Sequence, residues 1–297
     1  FKVWDHIKNV WCKNNPSGFN YIKNWISHAV TGRKMKSCLY MRTPQGIGKS
    51  IVTEFIQLKV MGKHLVHITN NPKCIAGGFN SQLEGAIILV LEELPSMSKT
   101  HWLCLGNWVK HYVTSPTIEI EAKGKDAFLC DNNLSVILFS NNNAIKVDSD
   151  DRRFVMLDVS YDKIGNVEYF NELMGYLNND TVGEAFFWYC KEHAEQNQDF
   201  NESIKPTTKA KQELVLQNLH SVFKFLKEQY ILMKTDIRLP FKKFREEYDK
   251  YCALHKLEPI SRYEVRQKLA ELGIKLKVGN QNKRYVVVSN AELLKIF

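Results

Sequence analysis

The chain has 297 residues, enough for one large core plus a smaller module or for two domains. Its 44% apolar and 25% charged residues are those of a soluble globular protein, and no run of eighteen apolar residues is present to span a membrane. The formal net charge of +9 is unevenly spread: residues 1–202 carry 21 Lys and Arg against 22 Asp and Glu, residues 203–297 carry 20 against 10. Such an excess in one third of a chain is an electrostatic footprint for nucleic acid or another anionic surface. Seven scattered cysteines without a C-x-x-C pair exclude a disulfide framework and a zinc ribbon, and point to a reducing, intracellular compartment. The chain opens at Phe1 with no signal peptide, which reads as a fragment of something longer.

In chain order, Val3, Ile7, Val10 and Trp11, then Tyr21, Ile22, Trp25, Ile26 and Val30, fall at helical spacing. They predict two helices broken at Asn14-Asn15-Pro16-Ser17-Gly18, an N-terminal helical segment over 1–36. Leu39-Tyr40-Met41 then reads as a strand running into Thr43-Pro44-Gln45-Gly46-Ile47-Gly48-Lys49-Ser50. This is a phosphate-binding loop in outline. Gly46 and Gly48 let backbone N–H groups curl inward, Lys49 reaches β- and γ-phosphates, and Ser50 offers a hydroxyl to Mg²⁺. Thr43 stands where the full pattern has Gly, at the strand-to-loop junction and away from the phosphates. Helix continues over 51–61 and stops at Gly62, and a strand follows over 64–69; its His64 and His67 read as structural.

The unbroken apolar run of 86–91 ends in Glu92-Glu93, as a buried parallel strand delivering acids at the sheet's carboxyl edge would. Two acids after a strand are often only a solvated strand end. Behind a phosphate loop they suit Glu92 to the Mg²⁺ shell and Glu93 to the attacking water. Residues 99–112 place Trp102, Leu105, Val109 and Tyr112 on one helical face. A hairpin follows, Ile118 to Glu121 and Asp126 to Leu129, with Lys123 and Lys125 at its tip; such a tip is either a solvated turn or a DNA-touching loop. The strand 134–139 runs into Asn141, whose amide suits a γ-phosphate sensor. Arg152 and Arg153 precede the strand 154–159, as surface ion pairs or as stabilisers of a phosphoryl transition state.

The order of phosphate loop, Glu-Glu strand, basic hairpin, Asn-ended strand and Asp151-Arg152-Arg153-Phe154 resembles the superfamily-3 helicases, closest to the poxvirus-type primase-helicases and their phage, plasmid and mobile-element relatives. The leading Trp4-Asp5-His6-Ile7 and Tyr21-Ile22-Lys23-Asn24-Trp25 share in that resemblance, which covers about residues 1–160. It implies an AAA+ ATPase with ATP and Mg²⁺ as cofactors, working as a homo-oligomeric ring, commonly a hexamer, around single-stranded or forked DNA. It implies Gly46, Gly48, Lys49 and Ser50 at the nucleotide, Ser50 and Glu92 at the metal, and Glu92, Glu93 and Asn141 at the chemistry. Lys123 and Lys125 match the pore hairpin, and Arg152 or Arg153 the finger reaching a neighbour's ATP. A primase domain upstream in the same chain and a site of viral or mobile-element DNA replication are further implications.

Helices over 169–177 and 182–196 close an α/β ATPase domain of 37–200, and 201–211 has linker composition. Beyond it, residues 212–297 read as three helices and a hairpin. The first carries Leu219, Val222, Leu226 and Tyr230, the second Phe241, Phe244, Tyr248 and Cys252, and the third starts at the capping box Ser261-x-x-Glu264 and ends at Gly273. Residues 274–278 and 285–288 form the hairpin, and the whole resembles a winged helix. Val265, Leu269 and Leu272 are expected inward, Arg262 and Arg266 outward, with Lys275, Lys277, Lys283 and Arg284 on the wing as DNA contacts. A protein-docking role for this module is the alternative. The combined expectation is a DNA-replication helicase motor, the helicase portion of a primase-helicase. Its rival is a DNA-binding switch ATPase or replication initiator that does not unwind, while a small-molecule kinase would explain neither the basic hairpin nor the basic third.

Overall fold

The structure, a computed structural model, describes residues 1–75, 78–92, 94, 97–140, 151–212, 220–279 and 283–296. The chain divides into two compact units, Phe1–Val215 and Leu216–Phe297.

The first unit is built on five parallel strands in the order β2-β3-β6-β1-β7: β1 Cys38–Arg42, β2 Val66–Thr69, β3 Ile88–Leu91, β6 Ser135–Ser140 and β7 Phe154–Met156. Strand side chains alternate between faces, so a strand covered on both sides is apolar at every position. That alternation is explicit here. Leu39, Met41, Ile88, Val90, Ile137, Phe139 and Val155 enter one core, while Cys38, Tyr40, Leu89, Leu91, Val136, Leu138, Phe154 and Met156 enter the other. The first core is closed by α1 (Lys2–His6, continuing as π-helix through Trp11), α2 (Pro16–Val30), α3 (Lys49–Phe55, continuing as π-helix through Met61), α5 (Val167–Leu177) and α6 (Asp180–Gln196). The second is closed by α4 (Lys99–Thr114) and the hairpin of β4 (Thr117–Ile120) and β5 (Phe128–Asp131). Burial of each such Leu, Ile, Val or Phe contributes roughly 1.5–3 kcal/mol, which makes the two-sided sheet the rigid base of whatever its edges carry.

The segment after α6 lies against this unit. Glu202 accepts from Ser37 Oγ at 2.8 Å, and Asp158 accepts the backbone N–H groups of Lys209 and Ala210 at 3.1 and 2.7 Å.

The second unit comprises α7 (Ser221–Leu226, continuing as π-helix through Ile231), β8 (Ile237–Pro240), α8 (Phe241–Leu254), α9 (Arg262–Glu271), β9 (Lys277–Val278), β10 (Arg284–Val288) and α10 (Asn290–Ile296). Its small antiparallel sheet has the order β8-β10-β9. The capping box at Ser261 and Glu264 forms, Gly273 ends α9 at φ +73°, and Val265 and Leu269 are buried. Three expectations change. The sheet gains β8, because Ile237 to Pro240 pair along β10. The chain ends in a further helix, α10. Arg266 is half-buried instead of outward: its guanidinium lies 4.8 Å from the Phe241 ring centroid, beside that of Arg262 at 5.5 Å. Stacking on an aromatic face suits a planar, weakly hydrated cation.

Candidate functional site

The loop after β1 joins the sheet to α3. Thr43 N–H bonds the Ser140 carbonyl at 2.9 Å, extending the β1–β6 ladder by one step, so the position that departs from the glycine pattern is spent on the sheet. Gly46 and Gly48 then take φ of +83° and +80°, values an L side chain adopts only at a cost, and Ile47 between them is buried. At Gly48 a Cβ would also lie 2.5 Å from Phe170 Cε1 and 2.9 Å from His6 Cε1. Conformation and space both demand glycine here.

Lys49 and Ser50 open α3. Lys49 is buried, and its Nζ has no hydrogen-bond partner among the described residues; the Thr43 hydroxyl is likewise buried and unpaired. An ammonium left without a partner under cover costs several kcal/mol unless an anion meets it. Across the loop, at the end of β3, the Glu92 carboxylate accepts from Ser50 Oγ at 2.7 Å and from Thr53 Oγ1 at 2.8 Å. Thr53 also lies 3.0 Å from the Ser50 carbonyl, but its one proton serves one acceptor at a time and the carboxylate is the stronger. Burial and then the Glu92 charge push Glu54 above its ordinary value. The two sets fit a polyphosphate and a hard divalent cation: donors and an orphaned ammonium on one side, Ser50 and Glu92 oxygens on the other.

Thr53 is the residue the motif did not reveal. It stands three residues after Ser50, one helical turn on, and that spacing is the signal that was available. Glu93 and Asn141, expected beside Glu92, lie outside the described residues; β6, which ends at Ser140, does lie between β1 and β3.

The paired arginines are elsewhere. The Arg153 carbonyl accepts from Cys38 N–H at 2.7 Å, at the amino end of β1, whereas the phosphate loop follows its carboxyl end. Four residue steps of strand, about 13 Å, separate the two edges. Arg153 Nε lies 3.4 Å from Asp151, which also receives Lys110 Nζ at 3.1 Å, while Arg152 is exposed. Burial pushes Asp151 up, but the Arg153 N–H, the Lys110 ammonium and both cations outweigh it and hold the carboxyl below its usual range. Arg152 and Arg153 line a cleft of about 660 Å³ with Arg33, Lys36, Lys205 and Glu202. One chain therefore does not bring these arginines to its own Lys49.

Lys123 and Lys125 are exposed at the tip of the β4–β5 hairpin, where Gly124 turns at φ +75° and Lys125 N–H bonds the Ala122 carbonyl. In the second unit Arg262, Lys275, Lys277, Lys283 and Arg284 are exposed. Burial, then the nearby charges of Arg262 and Arg284, lower the Arg266 pKa, so these three cations crowd one surface.

With this geometry in view, comparison with known proteins is informative about the fold. A family model described as a family of unknown function, DUF5906, matches residues 41–153, the stretch from β1 to the paired arginines. No curated protein matches the chain. A solved structure described as the apo structure of the NrS-1 C terminal region (305–718) aligns with a TM-score of 0.70 at 13% identity, over 97% of this chain and 76% of that one. A second, the A form apo structure of the same region, aligns at 0.69 and 15% identity over 97% and 75%. The chain shares the fold of the NrS-1 C-terminal region. A P-loop-like parallel α/β core, followed by a small antiparallel sheet with helices, is common to both. Among the described residues no helix is long and apolar enough to cross a membrane.

Proposed function

We propose that the chain is an ATP-dependent DNA helicase motor acting in DNA replication as part of a homo-oligomeric ring, with residues 37–200 as the ATPase domain, 201–211 as its exit segment and 212–297 as a winged-helix-like module. The observation that carries the reading is the buried Lys49 ammonium, without a hydrogen-bond partner among the described residues, directly after two glycines at positive φ, with the Ser50 and Thr53 hydroxyls bound to Glu92 across the loop. Lys49 neutralises the terminal phosphates of ATP as charge develops between them. Ser50 and Glu92 are the residues that would hold Mg²⁺, and such an ion would supply positive charge against the phosphates of ATP. Thr53 keeps the Glu92 carboxylate in one orientation. Glu93 is assigned to the attacking water and Asn141 to sensing the γ-phosphate, on sequence position alone.

Arg152 and Arg153, on the sheet edge remote from Lys49, are assigned to the ATP of a neighbouring subunit, which is why the reading requires an oligomer. Lys123 and Lys125 grip the backbone of one DNA strand, and Arg262, Arg266 and the wing cations bind DNA phosphates near the fork. ATP binding and turnover by the wild type and by Lys49→Ala test the core of this. Loss of both in the variant is expected; equal turnover by the two proteins would remove the phosphate loop from the chemistry.

A further inference from the structure

His6 is fully buried on α1, forty-two residues before the phosphate loop it touches. Its Nε2 lies 3.2 Å from the Gly48 carbonyl and its Nδ1 lies 2.9 Å from the Tyr169 hydroxyl on α5. A carbonyl oxygen only accepts, so Nε2 carries the proton; Nδ1 is then the lone pair and the Tyr169 hydroxyl donates to it. Both ring nitrogens are satisfied by the neutral imidazole, and burial favours that form, lowering the pKa to about 4 against a smaller opposing pull from the Gly48 carbonyl.

We propose that His6 is a positioning residue for nucleotide binding: with Tyr169 and Phe170 it clamps the Gly48–Lys49 peptide and so fixes where the phosphate loop points its donors. The inference rests on the ATP-binding reading given above and adds to it a role for the N-terminal helical segment. A trans peptide is planar, with its C=O and N–H pointing opposite ways. Holding the Gly48 carbonyl toward His6 therefore aims the Lys49 N–H away from α1, and it sets the start of α3 from which the Lys49 side chain departs. The clamp closes from two sides, since Phe170 and His6 occupy the space a Gly48 side chain would need. The His6 ring also stacks on Tyr169, with centroids 5.9 Å apart and planes at 24°. The clamp is itself anchored. Lys2 pairs with Glu172 on α5, and the Trp4 ring packs 4.9 Å from that of Phe186 on α6. Without His6 only the first turn of α3, whose N-cap is Gly48, orients the Gly48–Lys49 peptide, so the loop samples more orientations and binding must select the productive one.

Three variants of the full chain test this, read by ATP dissociation constant, KM, kcat and melting temperature, with Lys49→Ala alongside. His6→Phe keeps an aromatic ring of similar size and removes both hydrogen bonds; Kd and KM for ATP are expected to rise about 10-fold, kcat to change much less, and the melting temperature to fall by a few degrees at most, as for loss of two hydrogen bonds. His6→Gln can again donate to the Gly48 carbonyl and is expected to recover most of the affinity. Tyr169→Phe, which removes only the hydroxyl, is expected to raise Kd by about 3-fold. If His6→Phe binds ATP as the wild type does while Lys49→Ala does not, the clamp is wrong and the ATP reading stands. If His6→Phe fails to fold, Tyr169→Phe decides, an unchanged Kd overturning the clamp. If the wild type itself binds no ATP, both readings fall together.

Discussion

Replacing Thr53 by Val keeps the shape of a buried side chain on α3 and removes one hydroxyl. Among the described residues that hydroxyl gives the Glu92 carboxylate one of two hydrogen bonds, at 2.8 Å, the other coming from Ser50 at 2.7 Å. A bond to a charged acceptor contributes about 1.5–3 kcal/mol, and each 1.4 kcal/mol is a factor of ten. The carboxylate that loses it can turn about its own bonds, so its alignment toward a cation shared with Ser50 is no longer fixed. Outer partners of metal ligands typically matter by about 10–100-fold, the same range reached from the single bond. For Thr53→Val the Mg²⁺ concentration giving half-maximal ATP hydrolysis is therefore expected to rise at least about 10-fold, while ATP binding without Mg²⁺ changes little. Hydrolysis followed across a Mg²⁺ titration at saturating ATP measures this. Superimposable titrations for variant and wild type would refute the idea that Thr53 orients a metal-binding carboxylate.

Other outcomes follow from the same structure. Because Arg152 and Arg153 sit at the sheet edge away from Lys49, subunits lacking both arginines should regain hydrolysis when mixed with Lys49→Ala subunits; no recovery in demonstrably mixed assemblies would place the arginines in a role within one subunit. Arg266 stacks on Phe241 beside Arg262, so Arg266→Ala should lower the slope of log affinity for DNA against log salt by about one unit. An unchanged slope would make that surface a protein-docking face. His6 is neutral when folded, with a pKa lowered by burial to about 4 from the ordinary histidine value of about 6.5, so the unfolded chain binds the extra proton and stability is lost as pH falls from about 6.5 toward 4. Between about pH 7 and pH 5 this single group accounts for on the order of 2 kcal/mol, and His6→Gln should flatten the corresponding fall in denaturant midpoint. An equal fall in both proteins would assign the acid sensitivity elsewhere.

What the sequence disclosed and what it withheld divide along a physical line. The central strands were legible because a strand buried on both faces needs apolar residues on both, and 86–91 and 136–139 are such runs. Gly46 and Gly48 were legible because only glycine takes their positive φ cheaply, and the α9 start because Ser261 and Glu264 cap each other locally. Contacts made across the fold were not. Nothing near His6 in the sequence announces Gly48 or Tyr169, and Thr53 acquires meaning only when β3 brings Glu92 to it. The short β8 carries Pro240 and pairs only with β10, a partner more than forty residues away, so it lacked any periodic signal of its own. Arg266 was expected outward from its helical spacing to Val265 and Leu269, but the Phe241 ring beneath it converts an exposed position into a half-buried, stacked one.

Strand displacement on a forked DNA substrate tests the central claim most directly, with wild type, Lys49→Ala and the double variant Lys123→Ala/Lys125→Ala compared at equal subunit concentration. The account predicts ATP-dependent unwinding by the wild type, none by Lys49→Ala, and in the hairpin variant lost unwinding with much of the basal ATP hydrolysis retained. Vigorous ATP hydrolysis by the wild type with no displacement of either strand would contradict the motor and favour a nucleotide-driven switch that binds DNA without opening it.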